Sequence, residues 1–425
     1  MVTLATGSLA PQVRASTPTS SRPIDIALLG LGCIGAAVTR RLVDGQGGHH
    51  IQVTGALVRE PARRRDLPLR GDTLITSDPD AIFARRPDVV VELLGGLDPA
   101  FTLVARALTL GIPVVTANKS LLAARGHELD ALAARAGVPL LYEASVLAGV
   151  PFLGALARRP HASTISRLQG IVNGTSNFVL ARMAAGASFA AALAEAQRLG
   201  LAEPEPAHDV HGIDAAEKLT VLLRHFGWGH VAPSRVETSG IAALTPDHLE
   251  GARKSGGTIK PIVLAARSHD RIAAFSGPAF LPHAHRLSGV NGVDNAVVLS
   301  TSYGDLVHSG PGAGPDATAA TVLDDVIEAA ERRPVAPARR DVAIDAGELE
   351  TGWFVSLSGA GPLPPCEEVA DFLGSHGIWM RRSSRDGNAA FLLTYPAPKA
   401  RIDGALAALH AAAGTTSLAL RAVEA

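Results

Sequence analysis

From Ile24 onward the chain repeats one pattern: a short apolar run, a turn, then a stretch with apolar residues at helical spacing. The first unit is "IDIALLGLGCIGAAVTRRLVD", which reads as strand, glycine turn and helix. Further apolar runs at 51–58, 88–95, 113–118 and 138–145 read as strands. Amphipathic stretches at 79–85, 98–110 and 120–136 read as the helices between them. Alternation of this length predicts an α/β domain over residues 23–150, built on a doubly wound parallel sheet.

The pattern changes after residue 150. The helical runs "TSNFVLARMAAG", "SFAAALAEAQRLG" and "DAAEKLTVLLRHF" come first, and strand-like segments follow at 271–281, 295–302 and 304–310. Residues 151–309 therefore read as an α+β domain for substrate binding and dimerisation. The segment 310–333, "GPGAGPDATAATVLDDVIEAAERR", is a second glycine turn opening a helix, expected to pack back on the first block. A Pro/Arg-rich linker occupies 334–349. Residues 350–425 run βαββαβ, the ferredoxin-like order. A linker of that composition implies that a chain ending near Arg340 stays soluble and active. Residues 1–22, rich in Ser, Thr and Pro, read as a disordered extension outside the fold.

Composition narrows the function. With 425 residues, 47% of them hydrophobic and only 19% charged, the chain has room for two or three domains with real cores. A net charge of -1 argues against a nucleic-acid binder, which would carry a basic face. No apolar run reaches the roughly 18–20 residues of a membrane span. Cys33 and Cys366 are the only cysteines, which suits a reducing compartment such as the cytoplasm.

The turn "GLGCIG" places Gly30, Gly32 and Gly35 between a strand and a helix, with Cys33 and Ile34 opening the helix. In a Rossmann-type unit such glycines permit the tight turn, the approach of a pyrophosphate and close helix packing. The second strand ends "LVRE". Arg59 stands where a 2′-phosphate would be read, followed by Arg63, Arg64 and Arg65, so NADP is expected, with NAD as the alternative that Glu60 keeps open.

Carboxylates concentrate in "AEPEPAHDVHGIDAAEKL", residues 202–219. Asp214 and Lys218, four apart, share a helix face, ordinarily the mark of a surface ion pair. The helix is otherwise strongly apolar, and a second isolated lysine, Lys119, follows a strand in "VTANKSLL". Carboxylates could hold a substrate ammonium while a lysine exchanges a proton with a hydroxyl or carbonyl oxygen. Two lysines at one site are expected to depress each other's pKa. Hydride transfer on a small amino-acid alcohol follows.

"LLGLGCIG", "VELLGG", "VTANKSLLA", "EASVLAGVP", "GIVNGTSNFVL", "LGLAEPEPAHDVHGIDAAEKL" and "GPGAG" together, in this order, resemble homoserine dehydrogenase, in its monofunctional form. The resemblance implies interconversion of L-homoserine and L-aspartate 4-semialdehyde. It casts Glu203 and Asp214 as substrate-binding carboxylates, and Lys218 and Lys119 as the catalytic lysines. Asn118, Gly200 and Gly312 would line the nicotinamide pocket. It further implies a monovalent-cation loop, with the Glu143 side chain and the carbonyls of Val146, Ala148 and Val150 around sodium. A homodimer and an ACT-like tail that binds threonine complete the picture. Two departures stand out. The loop reads Ala202-Glu203-Pro204-Glu205-Pro206-Ala207 where the family usually has Ala-Glu-Ala-Asp-Pro-Thr, and the tail has "SGAGPLPP" where an acid and glycine are usual. The rival readings are another amino-acid-related dehydrogenase and a non-catalytic sensor, and the lysine pair argues against the second.

Overall fold

The computed structural model describes residues 22–43, 50–63, 65–157, 164–268, 271–331, 343–344, 349–359 and 361–424. The proposed N-terminal extension and most of the 334–349 linker lie outside them. Six strands open the chain: β1 (Ile24–Leu29), β2 (Ile51–Leu57), β3 (Leu74–Thr76), β4 (Val89–Glu92), β5 (Val114–Thr116) and β6 (Leu140–Leu141). They form a parallel sheet in the order β3-β2-β1-β4-β5-β6. Helices α1 (Cys33–Val43), α2 (Pro79–Ala84), α3 (Ala100–Thr109) and α4 (Lys119–Ala136) join them. The order reverses between β1 and β4, and such a switch point opens a ligand crevice at the carboxyl ends of the strands. Both faces are covered, so "VVVE" of β4 is buried along its whole length.

The second sheet has eleven strands. They are β7 (Ile165–Ile171), β8 (Glu237–Thr238), β9 (Gly257–Ser268), β10 (Arg271–Pro282), β11 (Asp294–Thr301), β12 (Gly304–Pro311), β13 (Ala343–Ile344), β14 (Gly352–Gly359), β15 (Met380–Asp386), β16 (Ala389–Thr394) and β17 (Thr415–Ala422). The path is β12-β11-β7-β9-β10-β17-β14-β16-β15, with β8 and β13 also pairing β10. Around it lie α5 (Leu153–Ala157), α6 (Gly174–Ala184), α7 (Phe189–Arg198), α8 (Ala207–Val210), α9 (Ile213–His225), α10 (Pro246–Lys254), α11 (Pro315–Ala330), α12 (Cys366–Ser375) and α13 (Lys399–Ala413). Helix α11 returns to the first sheet, where Ala319, Val322 and Val326 share a core with Ile26, Leu28 and Val91.

The sequence pattern misses β3, β7, β8, β9, β13, α5, α8 and α10, and it extends the last parallel strand to residue 145 where a 3-10 turn occupies Glu143–Ser145. Strand β9 is instructive, because Pro261 in a central strand argues against a strand at all. Here Pro261 stands opposite Pro278 of β10, another residue with no N–H to leave unpaired.

The tail does form βαββαβ, with its strands ordered fourth, first, third, second (β17-β14-β16-β15). It is not free-standing. Strand β17 pairs parallel with β10 through Ala279–Arg421 and Phe280–Ala422. The rings of Phe280, Phe354 and Phe391 stack across that seam at 5.3 and 6.0 Å. Arg421, 1% exposed, bonds Glu237 of β8 at 2.7 Å and lies over the Trp353 and Phe275 rings. The expectation that the chain can end near Arg340 without harm is therefore revised. Truncation strips β17 from β10, removes Phe354 and Phe391, and uncovers Phe280. The truncated chain is expected to aggregate or to lose its cooperative thermal transition. In the full chain, Arg421→Met should cost up to about 3–5 kcal/mol, the range for breaking a buried pair, less whatever solvent recovers at the partly open Glu237. A urea titration in which Arg421→Met matched the wild type would show that this seam does not hold the tail.

Candidate active site

Two helices bring the lysines together. Lys119 is the first residue of α4, at the carboxyl end of β5. Asn118 caps that helix by accepting from Leu121 N at 3.1 Å, and its amide nitrogen donates to Gly96 O at 2.8 Å and Glu92 Oε1 at 3.3 Å. Glu92, fully buried, also accepts from Leu94 N at 2.8 Å and Thr116 Oγ1 at 2.5 Å, so the loops after β4 and β5 are tied to one carboxylate. Glu92 is absent from the sequence reading. The only signal was an acid closing an apolar run in "VELLGG", and a buried carboxylate there needs donors.

Asp214 and Lys218 stand on α9, which packs along α4. Gly126 of α4 makes that approach close, since a Cβ there would collide with the Arg224 guanidinium. Ser120 Oγ donates to Glu217 Oε2 at 2.8 Å across the same pair of helices. At its far end α9 is anchored by His225, whose ring meets Tyr142 Oη at 3.2 Å and Leu153 O at 3.1 Å.

The result is one carboxylate between two ammonium groups. Asp214 Oδ1 lies 3.2 Å from Lys119 Nζ, and Oδ2 lies 3.0 Å from Lys218 Nζ. Lys218 Nζ also donates to Val172 O at 2.7 Å. The Asn173 amide donates to Asp214 Oδ2 at 2.8 Å and to Asp209 Oδ1 at 2.7 Å. Asp214 is 6% exposed. Burial, the largest influence, pushes its carboxyl up, but Lys218, Lys119 and the Asn173 amide outweigh it and bring it down to about 2. For Lys119 burial acts downward, and Asp214, with Glu217 and Asp209, carries the ammonium above its usual value. The expectation that the two lysines depress each other is thus corrected for Lys119, because the carboxylate between them prevails. Asp209 is raised, chiefly by burial.

The other candidates fall at several places. Gly30 has φ +105°, and a Cβ on Gly35 would come within 2.8 Å of Gly30 O, so the turn and the close start of α1 need these glycines. A Cβ on Gly32 would point into open space, which fits a backbone left bare for a pyrophosphate beside Cys33 and Ile34. Arg59 is exposed just past the end of β2. Glu203 is exposed, with its backbone carbonyl held by Gln197 Nε2 at 3.1 Å, and Asp209 rather than Glu203 shares an amide with Asp214. Gly200 is exposed past α7, while Gly312 O accepts from Ala148 N at 3.3 Å.

In the 143–150 segment, Glu143 accepts from the N–H groups of Phe152, Leu153 and Gly154 at 2.7, 2.8 and 2.6 Å. Ala148 O accepts from the Thr321 hydroxyl. Val146 and Val150 are buried beside them. Burial pushes both Glu143 and Asp325 up, and the strongest charges acting on Asp325 are the acids Glu143, Glu328 and Asp324. An oxygen-only set in an acidic surrounding fits a hard monovalent ion, although much of the acceptor capacity of Glu143 is already committed.

Comparison with known proteins follows the same lines. Residues 30–143 match the family model for the NAD-binding domain of homoserine dehydrogenase, and residues 151–327 match the homoserine dehydrogenase model. A homoserine dehydrogenase of Pseudomonas aeruginosa is 32% identical over 94% of this chain and 98% of its own length. This chain belongs to the homoserine dehydrogenase family. The Mycobacterium tuberculosis enzyme is 35% identical over 80% of this chain and 81% of its own length. The crystal structure of a homoserine dehydrogenase from Thiobacillus denitrificans superposes with a TM-score of 0.86 at 32% identity, covering 95% and 99% of the two chains. A putative homoserine dehydrogenase from Archaeoglobus fulgidus, 30% identical with a TM-score of 0.63, covers 72% of this chain and 98% of its own. The chain is accordingly an oxidoreductase acting on a CH–OH group with a nicotinamide cofactor. It interconverts L-homoserine and L-aspartate 4-semialdehyde in threonine, methionine and isoleucine biosynthesis.

The Asp214 bridge has a measurable pH signature. A carboxyl depressed from 3.8 to about 2 stabilises the fold fully above the unfolded value, and that contribution is lost as pH falls from about 4 to about 2. Glu143 and Asp325, both raised, act with the opposite sign. The difference between the wild type and Asp214→Asn therefore isolates the bridge. Their stability gap in denaturant titrations is expected to narrow through that window, and a gap independent of pH there would show that Asp214 is not held as an anion by the lysines.

Proposed function

We propose that Lys218 and Lys119 carry the proton side of the reaction and that NADP is the preferred cofactor. The supporting observation is the single Asp214 carboxylate facing both ammonium groups at the carboxyl end of the parallel sheet. Gly30, Gly32, Cys33, Ile34 and Gly35 would hold the pyrophosphate, Arg59 a 2′-phosphate, and Asn118, Lys119, Gly200 and Gly312 the nicotinamide end. When bound, the nicotinamide ring takes up or delivers the hydride.

A lysine ammonium has three donors, and Lys218 spends two on Val172 O and Asp214, which leaves one for the substrate oxygen. In oxidation the substrate hydroxyl loses its proton to a neutral amine, and in reduction the ammonium protonates the carbonyl oxygen. Asp214 already accepts three of the roughly four hydrogen bonds open to a carboxylate. The remaining direction, with Glu203 on the outer side, would take the substrate ammonium. Since Asp214 favours the charged form of Lys119, oxidation should run best at alkaline pH and reduction at lower pH.

Sodium would sit among Glu143 and the carbonyls of Val146, Ala148 and Val150, and a rise in thermal midpoint with sodium chloride over choline chloride would report it. The domain division stands at 23–150 with 310–333, 151–309 and 350–425, joined by 334–349, in a cytoplasmic homodimer. The edge strand β12 supports the dimer by exposing Val307, with Tyr303 exposed in the turn before it. The ACT-like tail would bind threonine. A crevice of about 330 Å³ between tail and substrate domain, lined by Arg381, Arg382, Thr394 and Glu424, offers groups for both ends of an amino acid, and a threonine titration of activity reads it.

Two substitutions test the core of this reading. Lys218→Met is expected to lower kcat by at least about 10², the scale of general acid–base catalysis, with NADP affinity nearly unchanged. A near-normal kcat with only a raised KM would make Lys218 a binding group and pass the proton role to Lys119. Arg59→Ala should weaken NADP about 10- to 150-fold, the value of a charge-assisted hydrogen bond, and NAD little. Equal losses for the two cofactors would remove Arg59 as the selecting residue.

A further inference from the structure

Asn173 is 4% exposed and uses its whole side chain. Its Oδ1 accepts from Ser176 N at 2.8 Å and caps α6, which fixes the orientation of the amide. Its Nδ2 then has one hydrogen for Asp209 Oδ1 at 2.7 Å and one for Asp214 Oδ2 at 2.8 Å. Two partly or fully buried carboxylates would ordinarily share a proton or turn apart. An amide between them satisfies both as anions. Asp214 is thereby left with one oxygen toward each lysine.

We infer that Asn173 is a positioning residue for the reaction: its amide keeps Asp209 and Asp214 as two separate carboxylates and aims Asp214 at Lys119 and Lys218. This rests on the reading that those lysines are the reacting pair. The charged groups around the amide are Asp209 from α8, Asp214 and Lys218 from α9, and Lys119 from α4, with Glu217 next along α9 and bonded to Ser120.

The test is Asn173→Asp in the full-length enzyme, assayed as homoserine oxidation across pH at saturating NADP. Aspartate has the same shape and remains a good helix cap, so only the two donors change, into an acceptor with a negative charge. The added charge makes the lysines hold their protons more tightly. The rising limb of the profile should therefore move to higher pH. At a fixed mildly alkaline pH kcat should fall about tenfold or more, the size of one charge-assisted hydrogen bond, with the KM for NADP unchanged. Asn173→Ser keeps a capping oxygen for Ser176 N but loses the amide that joins the two carboxylates, and it should lower kcat at that pH with the KM for NADP unchanged. A soluble Asn173→Asp enzyme with a wild-type kcat and profile overturns the inference. So does an Asn173→Ser enzyme with a wild-type kcat, which is what a capping role alone would give. If Asn173→Asp is insoluble, Asn173→Ser carries the test with the same two outcomes. Lys218→Met in the same assay separates the two claims: if it keeps its kcat, the reading of the lysine pair fails first.

Discussion

Everything at the site depends on one carboxylate that two separately built helices must reach at once. Lys119 belongs to the first helical turn after β5 of the parallel sheet, and Asp214 and Lys218 belong to a helix of the second domain. Alone, a buried Asp214 would carry a desolvation penalty that protonation relieves. With an ammonium on each oxygen it stays charged, and both lysines are held against it. The charge pattern is also a registration device. A shift of α4 along α9 by one turn would separate Lys119 from Asp214 by about 5 Å, the pitch of a helix. Ser120–Glu217 and the Arg224 side chain lying across Gly126 resist that shift.

The second constraint lies at the other end of the same domain. The tail strand β17 extends the sheet through β10, and Arg421 reaches from it to Glu237 on β8. Ser239 N bonds Ser276 O, and the Ser276 hydroxyl bonds Gly212 O, the residue that begins α9. The tail is therefore connected to the helix bearing Asp214 by short, direct contacts. The Archaeoglobus fulgidus structure, which matches 72% of this chain and nearly all of its own, shows that the fold can exist on a shorter chain. In the present chain Phe280 and Glu237 of that core are engaged by the tail, the one stacked on Phe354 and the other paired with Arg421.

How much of this was readable in the residues follows from which forces are local. The parallel sheet was legible because its buried strands are continuous apolar runs punctuated by glycine turns, and the lysine–aspartate pair because i, i+4 spacing on an apolar helix is a local fact. Strand β9 was not, since its pairing with β10 sets Pro261 against Pro278, and nothing nearby in the sequence reveals that match. The tail's strand order was legible and its docking was not. Arg421 reads as an ordinary surface arginine until Trp353, Phe275 and Glu237 are brought around it. Glu92 and Asn173 were hidden for the same reason. A buried polar group is recognisable from its partners, and those partners are distant in sequence: Asn118 for Glu92, and Asp209 and Asp214 for Asn173.

The direction of the lysine shift shows why the charge balance cannot be read by counting lysines. Two ammonium groups side by side repel, and each would release its proton more readily. A carboxylate placed between them, at 3.2 and 3.0 Å, is nearer to each than they need be to one another, so attraction exceeds repulsion and Lys119 moves up. If Lys119 exchanges the proton as proposed, the site as it stands holds the protonated form that semialdehyde reduction would use. Running it in reverse would require a neutral amine, which the carboxylate between the lysines opposes. An enzyme leaves the equilibrium of the overall reaction unchanged, so this bias bears on the pH at which each direction runs fastest.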